Sequence, residues 1–203
     1  MGERRRLIVG ISGATGIAYG ARLLELLRAL DVESHLVVSR AGELTRAYES
    51  PLSARELRAL ADVHHPVTDI GAAIASGSFR TLGMVVAPCS VRSLAEIATG
   101  VTTNLLTRAA DVVLKERRRL VLLVRETPLS LVHLRNMVAA TEAGAVIMPP
   151  VPSFYDRPDS IDEMVTATAA RALDLFGLEA PGLKRWGEEL STRPPREREP
   201  PAG

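Results

Sequence analysis

Leu7-Ile8-Val9-Gly10-Ile11-Ser12-Gly13-Ala14-Thr15-Gly16, with a helical pattern over 17–30 directly behind it, decides how this chain folds. An apolar run of β type ends in small residues and hands over to a helix without a spacer. Glycine lets the backbone turn tightly and come close to a ligand. Ser12, Thr15 and the free N–H groups of the first helical turn form a candidate anion site, supported by the helix dipole. The stretch lacks the Lys-Ser/Thr ending of a nucleotide-triphosphate loop. Gly10, Gly13, Gly16 and Gly20 also miss the spacing of the dinucleotide fingerprint. The bland alternative is a plain strand-to-helix turn whose small residues serve packing.

Strand and helix patterns alternate beyond it. Strand candidates lie at 6–11, 34–38, 83–87, 119–124 and 144–148. Helix candidates lie at 16–30, 40–48, 53–61, 69–76, 90–97, 104–116, 130–143 and 160–176. The last four strands are continuously apolar, as suits strands covered on both faces. This repetition predicts an α/β fold with a mostly parallel, doubly wound sheet. Ser53 with Glu56, and Ser160 with Glu163, read as capping boxes. Ligands of such sheets sit beyond the carboxyl ends of the strands. Ser39, Ser90, Arg125 and Glu126 all fall there. A single domain is expected over 1–190. The charged, proline-rich stretch 191–203 cannot bury apolar surface and is expected to be a disordered tail.

Composition narrows the function. Of 203 residues, 46% are hydrophobic, enough for a sizeable core, and the formal net charge of +1 implies no polyanion-binding field. Aromatics are 3%, too few for a base-stacking surface, so no nucleic-acid partner is expected. No run reaches transmembrane length and no signal peptide is evident, which points to a cytoplasmic protein. The lone cysteine, Cys89, cannot form an internal disulfide and reads as a small buried hydrophobe. His35, His64, His65 and His133 show no metal-ligand spacing, and no metal site is expected. Lys115 and Lys184 are the only lysines.

Four further pieces carry candidate chemistry. Ser90 and Ser93, in Pro88-Cys89-Ser90-Val91-Arg92-Ser93, offer hydroxyls and open N–H groups to a phosphate; Ser90 equally suits a helix N-cap. Arg108, Asp111 and Lys115 share one helix face, either as an anion clamp or as a solvated, salt-bridged surface. Arg125 and Glu126 pair a ligand-orienting cation with a general acid or base, or simply with each other. Tyr155 and Arg171 supply a phenol and a guanidinium fork suited to phosphate oxygens, although a late-helix arginine is often only a surface cation.

Taken together, the motifs Ser12-Gly13-Ala14-Thr15-Gly16 with Gly20, Pro88-Cys89-Ser90, the run Thr107 to Arg118, Arg125-Glu126-Thr127-Pro128, and Gly144 to Tyr155 closely resemble the UbiX-type flavin prenyltransferase family, in that family's order. The resemblance covers about residues 5 to 190. It implies a flavodoxin-like three-layer α/β/α sandwich, assembled as a homo-oligomer, usually a dodecamer. It also implies a reaction: reduced FMN and dimethylallyl phosphate give prenylated FMN and phosphate, without a metal. The product would serve a UbiD-type decarboxylase acting on aromatic and α,β-unsaturated acids, whether in ubiquinone synthesis or in aromatic degradation.

By the same resemblance, Gly13, Ala14, Thr15, Ser39, Ser90, Val91, Arg92, Ser93 and Arg125 would contact FMN. Tyr155, Arg171 and Arg108 would hold the prenyl phosphate. Glu126, Lys115 and Glu49 would be catalytic, with Glu126 moving protons and Glu49 belonging to the phosphate site. Trp186 matches a family residue near the site. Thr15 stands where the family more often has Ser, Arg40 where it has Lys, and Arg119 where it has Pro. Two rivals stay open: an FMN-dependent cysteine-type decarboxylase, and a non-catalytic flavin carrier subunit.

Overall fold

Every residue of the first strand, β1 (Arg6–Ile11), is buried except the half-buried Arg6, because the strand lies in the middle of a sheet covered on both faces. The computed structural model describes residues 4–154, 157–181 and 183. In chain order they form β1, α1 (Ile17–Ala29), β2 (Glu33–Val38), α2 (Arg40–Glu49), α3 (Ala54–Ala59), β3 (Val63–His65), β4 (Gly83–Cys89), α4 (Val91–Thr99), α5 (Leu105–Lys115), β5 (Arg119–Val124), α6 (Leu131–Glu142), β6 (Ala145–Ile147) and α7 (Ile161–Asp174). The six strands are all parallel, in the order β3-β2-β1-β4-β5-β6. Without the short edge strand β3, the remaining five stand in the flavodoxin-like order 2-1-3-4-5. The expected three-layer sandwich is present.

Side chains alternate between the two faces of the sheet. Leu7, Val9, Ile11, Leu36 and Val85 pack under α1, α3 and α7. Ile8, Val37, Met84, Val86 and Leu122 pack under α4, α5 and α6. The sequence of turns reverses direction between β1 and β4, and there the loops diverge to open a crevice. Ser12 ties the two loops together. Its N–H and Oγ–H both donate to the Pro88 carbonyl, at 3.1 and 3.0 Å. Its Oγ in turn accepts from the Ser90 N–H at 2.7 Å.

Two elements differ from expectation. β3 is absent from the sequence reading because it is three residues long and carries two histidines instead of an apolar run. The helix expected over 69–76 is a single 3₁₀ turn at Ala73–Ala75. It sits in a connection held by turns and by Arg118, whose guanidinium donates to the Gly77 and Phe79 carbonyls. The Ser53–Glu56 capping box is complete. At α7, Ser160 caps the Glu163 N–H, but the Glu163 carboxylate accepts from Asp159 instead of Ser160. A further box, Ser130 with His133, starts α6. The expected tail at 191–203 lies outside the described residues.

Candidate active site

Two cavities meet at Gly13 and Ser90, on the carboxyl-end side of the sheet. The first, about 430 Å³, is bounded by Ser39, Arg40, Thr68, Ser93, Glu96 and Asn104 among others. Three helices begin on it. Ser39 caps α2 by accepting from the Gly42 N–H at 2.9 Å. Ser90 caps α4 through the Ser93 N–H at 3.2 Å, and Asn104 caps α5 through the Leu106 N–H at 2.9 Å. Three positive dipole ends and their hydroxyl and amide groups therefore converge on one cavity, an arrangement that favours a dianionic phosphate.

At the rim, Arg92 is exposed and its Nε lies 3.0 Å from Glu96. The other Glu96 oxygen accepts from Thr103 Oγ at 2.7 Å, so this carboxylate is already matched. Gly13 has to be glycine. A Cβ there would stand 2.4 Å from the Ala41 Cβ, so the first loop would lose its close approach to α2.

The second cavity, about 540 Å³, is lined by Ala14, Thr15, Val91, Val124, Arg125, Glu126, Pro149 and Pro150 with a few others. Small and apolar residues alternate here with Thr15, Ser90 and Thr127, and Arg125 and Glu126 add one cation and one carboxylate. Phosphate donors at one end and a mixed lining with Val91, Val124, Pro149 and Pro150 at the other fit the two halves of FMN. Gly13, Ala14, Ser39, Ser90, Val91, Ser93 and Arg125 are the residues that would hold it.

The anion site expected at the first turn of α1 is filled from within the chain. Glu49, the last residue of α2, accepts hydrogen bonds from Thr15 Oγ at 2.8 Å and from the Gly16 and Ile17 N–H groups at 2.6 and 2.5 Å. Gly16 holds the positive φ of 105° that aims these N–H groups at the carboxylate. Ser12 is fully buried and structural, so it does not face this site. Glu126 is exposed, and one of its oxygens accepts from the Thr127 N–H at 3.0 Å. It is not paired with Arg125, contrary to the bland alternative.

Other expected residues lie elsewhere in the subunit. Lys115 ends α5, about 16 Å along the axis from the Asn104 cap. Its ammonium pairs with Glu116 and holds that carboxyl below the usual range. Arg108 pairs with Asp111 at 2.7 Å, one turn into the same helix. Arg171 is in the last turn of α7 and pairs with Asp174. That end of α7 belongs to the opposite, amino-end side of the sheet, since the Leu175 carbonyl accepts from Arg119, the first residue of β5. Tyr155 and Trp186 lie outside the described residues. Cys89 is fully buried and its thiol is pushed up to about 12 by that burial, which removes it as a nucleophile.

Sequence reasoning missed Thr68, Ile70, Glu96, Thr103 and Asn104 as cavity residues. Asn104 could have been found as an N-cap before an apolar helix. Thr68 and Ile70 could not, because the strand that delivers them was not visible.

A flavoprotein family signature covers residues 1–172. The flavin prenyltransferase UbiX of Neisseria meningitidis serogroup B is 59% identical over 182 residues, spanning 90% of this chain and 96% of that relative. The chain belongs to the UbiX flavin prenyltransferase family. Among solved UbiX structures, AnUbiX (PadA1) in complex with FMN and dimethylallyl pyrophosphate is 50% identical, with a TM-score of 0.89 over 91% of this chain and 98% of that one. A dodecameric FMN-dependent UbiX-like decarboxylase from Escherichia coli O157:H7 is 51% identical, with a TM-score of 0.87 over 89% of this chain and 98% of that one. Among the described residues, no helix is long and apolar enough to cross a membrane, and no group of three or more potential metal-ligating His, Cys, Asp or Glu side chains occurs.

Proposed function

We propose that the chain transfers the dimethylallyl group of dimethylallyl phosphate to N5 and C6 of reduced FMN, releasing phosphate. The prenylated FMN would then serve a UbiD-type decarboxylase in the cytoplasm. The observation that carries this is the pair of joined cavities at the sheet's reversal point, one bordered by three helix N-termini and the other by apolar residues with Arg125 and Glu126. Reduced FMN, when bound, supplies the electron-rich positions that receive the five-carbon unit.

The difficult event is loss of phosphate from an allylic carbon, with negative charge growing on the leaving group. Fixed cations and donors stabilise that change more than they stabilise the intact ester. Lys115, Arg171, Arg108 and Tyr155 are the side chains of suitable type. Glu126 stands at the open edge of the apolar cavity, where a carboxylate can take up or return a proton. Thr15, which lines the cavity, is tied to Glu49 by a hydrogen bond.

One subunit keeps Lys115 and Arg171 at the far end from Glu126. The site we infer is therefore shared, with those cations coming from a neighbouring copy. Two observations support a homo-oligomer. The relative from Escherichia coli O157:H7 is dodecameric. Helix α6, which begins four residues after Thr127, exposes Leu131, Val132, Leu134 and Val138. An apolar helix face of that extent next to a site is the mark of a protein contact.

The rival cysteine-type decarboxylase would need a histidine base. Neither cavity is lined by a histidine. The test is anaerobic incubation of the protein with FMNH₂ and, separately, dimethylallyl phosphate or its diphosphate, followed by mass analysis of the flavin. A flavin heavier by one five-carbon unit is expected with the monophosphate. An unchanged flavin with both donors would refute the proposal.

A further inference from the structure

Many arginines of this chain are held by a carboxylate, and Arg28, Arg118 and Arg119 by main-chain carbonyls. Arg6, Arg22, Arg46, Arg58, Arg92, Arg108 and Arg171 each lie against a carboxylate. Arg125 has no carboxylate partner among the described residues, although Glu126 is its neighbour in sequence; Glu126 is instead turned onto the Thr127 N–H. The main chain of Arg125 is fixed, since its N–H donates to the Cys89 carbonyl at 3.1 Å. Its guanidinium carbon lies 5.6 Å from the centroid of the Tyr19 ring. Tyr19 is buried on the first turn of α1.

Gly16 makes room for that contact. A Cβ there would come within 2.9 Å of both Arg125 Nη1 and Tyr19 Cδ2. The arginine and the ring thus meet over a residue of the turn that has no side chain. A cation within about 6 Å of an aromatic face is held by the ring quadrupole. An aromatic partner, unlike a carboxylate, does not neutralise the charge. The cation stays available to the cavity while its direction is fixed beforehand, which lowers the ordering cost of binding.

We propose that Tyr19 is a positioning residue of the flavin site, whose ring face holds the unpaired Arg125 guanidinium over Gly16. This rests on the assignment of Arg125 to the flavin in the proposed function. The test is a fluorescence titration of the apoprotein with FMN, alongside its thermal midpoint. Replacing the ring by Tyr19→Leu should raise Kd about three- to tenfold, the range of a partly desolvated cation–π contact. Tyr19→Phe keeps the ring face and should bind within about twofold of the parent. In an Arg125→Ala background, Tyr19→Leu should add nothing, because the two act as one unit.

If Arg125→Ala binds FMN as well as the parent, the assignment of Arg125 fails. If Arg125→Ala weakens binding but Tyr19→Leu does not, that assignment stands and the role of Tyr19 falls. An equal loss from Tyr19→Leu in both backgrounds would mark the ring as ordinary packing and also overturn the proposal. Should Tyr19→Leu fail to fold, phenylalanines carrying one, two and three ring fluorines at position 19 keep the shape and weaken the negative face stepwise. Kd should rise along that series; a flat series overturns the proposal.

Discussion

Thr15 carries one more methyl group than serine, and its hydroxyl donates to Glu49. Thr15→Ser keeps that donor, so anaerobic product formation should stay close to the parent. Thr15→Val has nearly the same shape without the donor. It leaves one Glu49 oxygen short of a partner and should lower turnover by about tenfold, the usual scale for a hydrogen bond to a charged group. Equal rates for the two variants would remove Thr15 from the site. At Cys89, burial without a nearby base gives a clear expectation: the native protein should not react with a thiol reagent at pH 8, and should react fully once unfolded. The site was only partly legible at this scale. Residue type identified Ser39, Ser90, Arg125 and Glu126 as strand-end candidates. It could not show that α1 already carries Glu49 on its N-terminus, because that contact joins residues more than thirty apart.

Glycine inside a helix is usually unfavourable, yet α1 needs Gly20. A Cβ at that position would lie 2.6 Å from both the Ala87 carbonyl oxygen and Ile11 Cδ1. Alanine would improve helix propensity by about 1 kcal/mol. Overpacking against a β4 carbonyl in a close-packed core costs about 1–3 kcal/mol and should prevail. Gly20→Ala should therefore lower stability in urea unfolding; a rise would show that α1 can shift outward freely. On α6, Val132→Glu places a charge in the exposed apolar face and should shift the molecular mass in solution towards that of a smaller assembly. Long elements were legible because their apolar periodicity was long. β3 and the 69–76 segment were not. Three residues hold too little pattern, and that second stretch is a run of short turns whose flank at 77–79 is held by Arg118, which lies far along the chain.

Across the whole molecule, the least expected feature is a buried polar chain beneath the sheet's edge. His35 Nε2 lies 2.8 Å from Glu33 Oε1, and His35 Nδ1 lies 3.0 Å from His65 Nε2. The consistent proton assignment has His35 donating to Glu33 and His65 donating to His35. Burial, with the nearby His35 and His64, holds His65 below its ordinary value, only partly offset by Asp69. Its native form therefore binds a proton less readily than its unfolded form. Between the depressed value and about 6.5, the unfolded state carries more protons, so stability is present above that window and is lost as pH falls through it. Urea unfolding at pH 7.5 and 5.5 should show the decline, and His65→Asn should reduce it, with His64, also held below its ordinary value by burial, keeping a share. An unaltered slope in that variant would assign the decline to other groups.

The separation of Glu126 from Lys115 and Arg171 has a further consequence. If no chain can serve itself, two defective chains can repair one another. Glu126→Gln and Lys115→Ala proteins, each inactive alone, should regain turnover when unfolded together and refolded as hybrids, and specific activity of the parent should fall on extreme dilution.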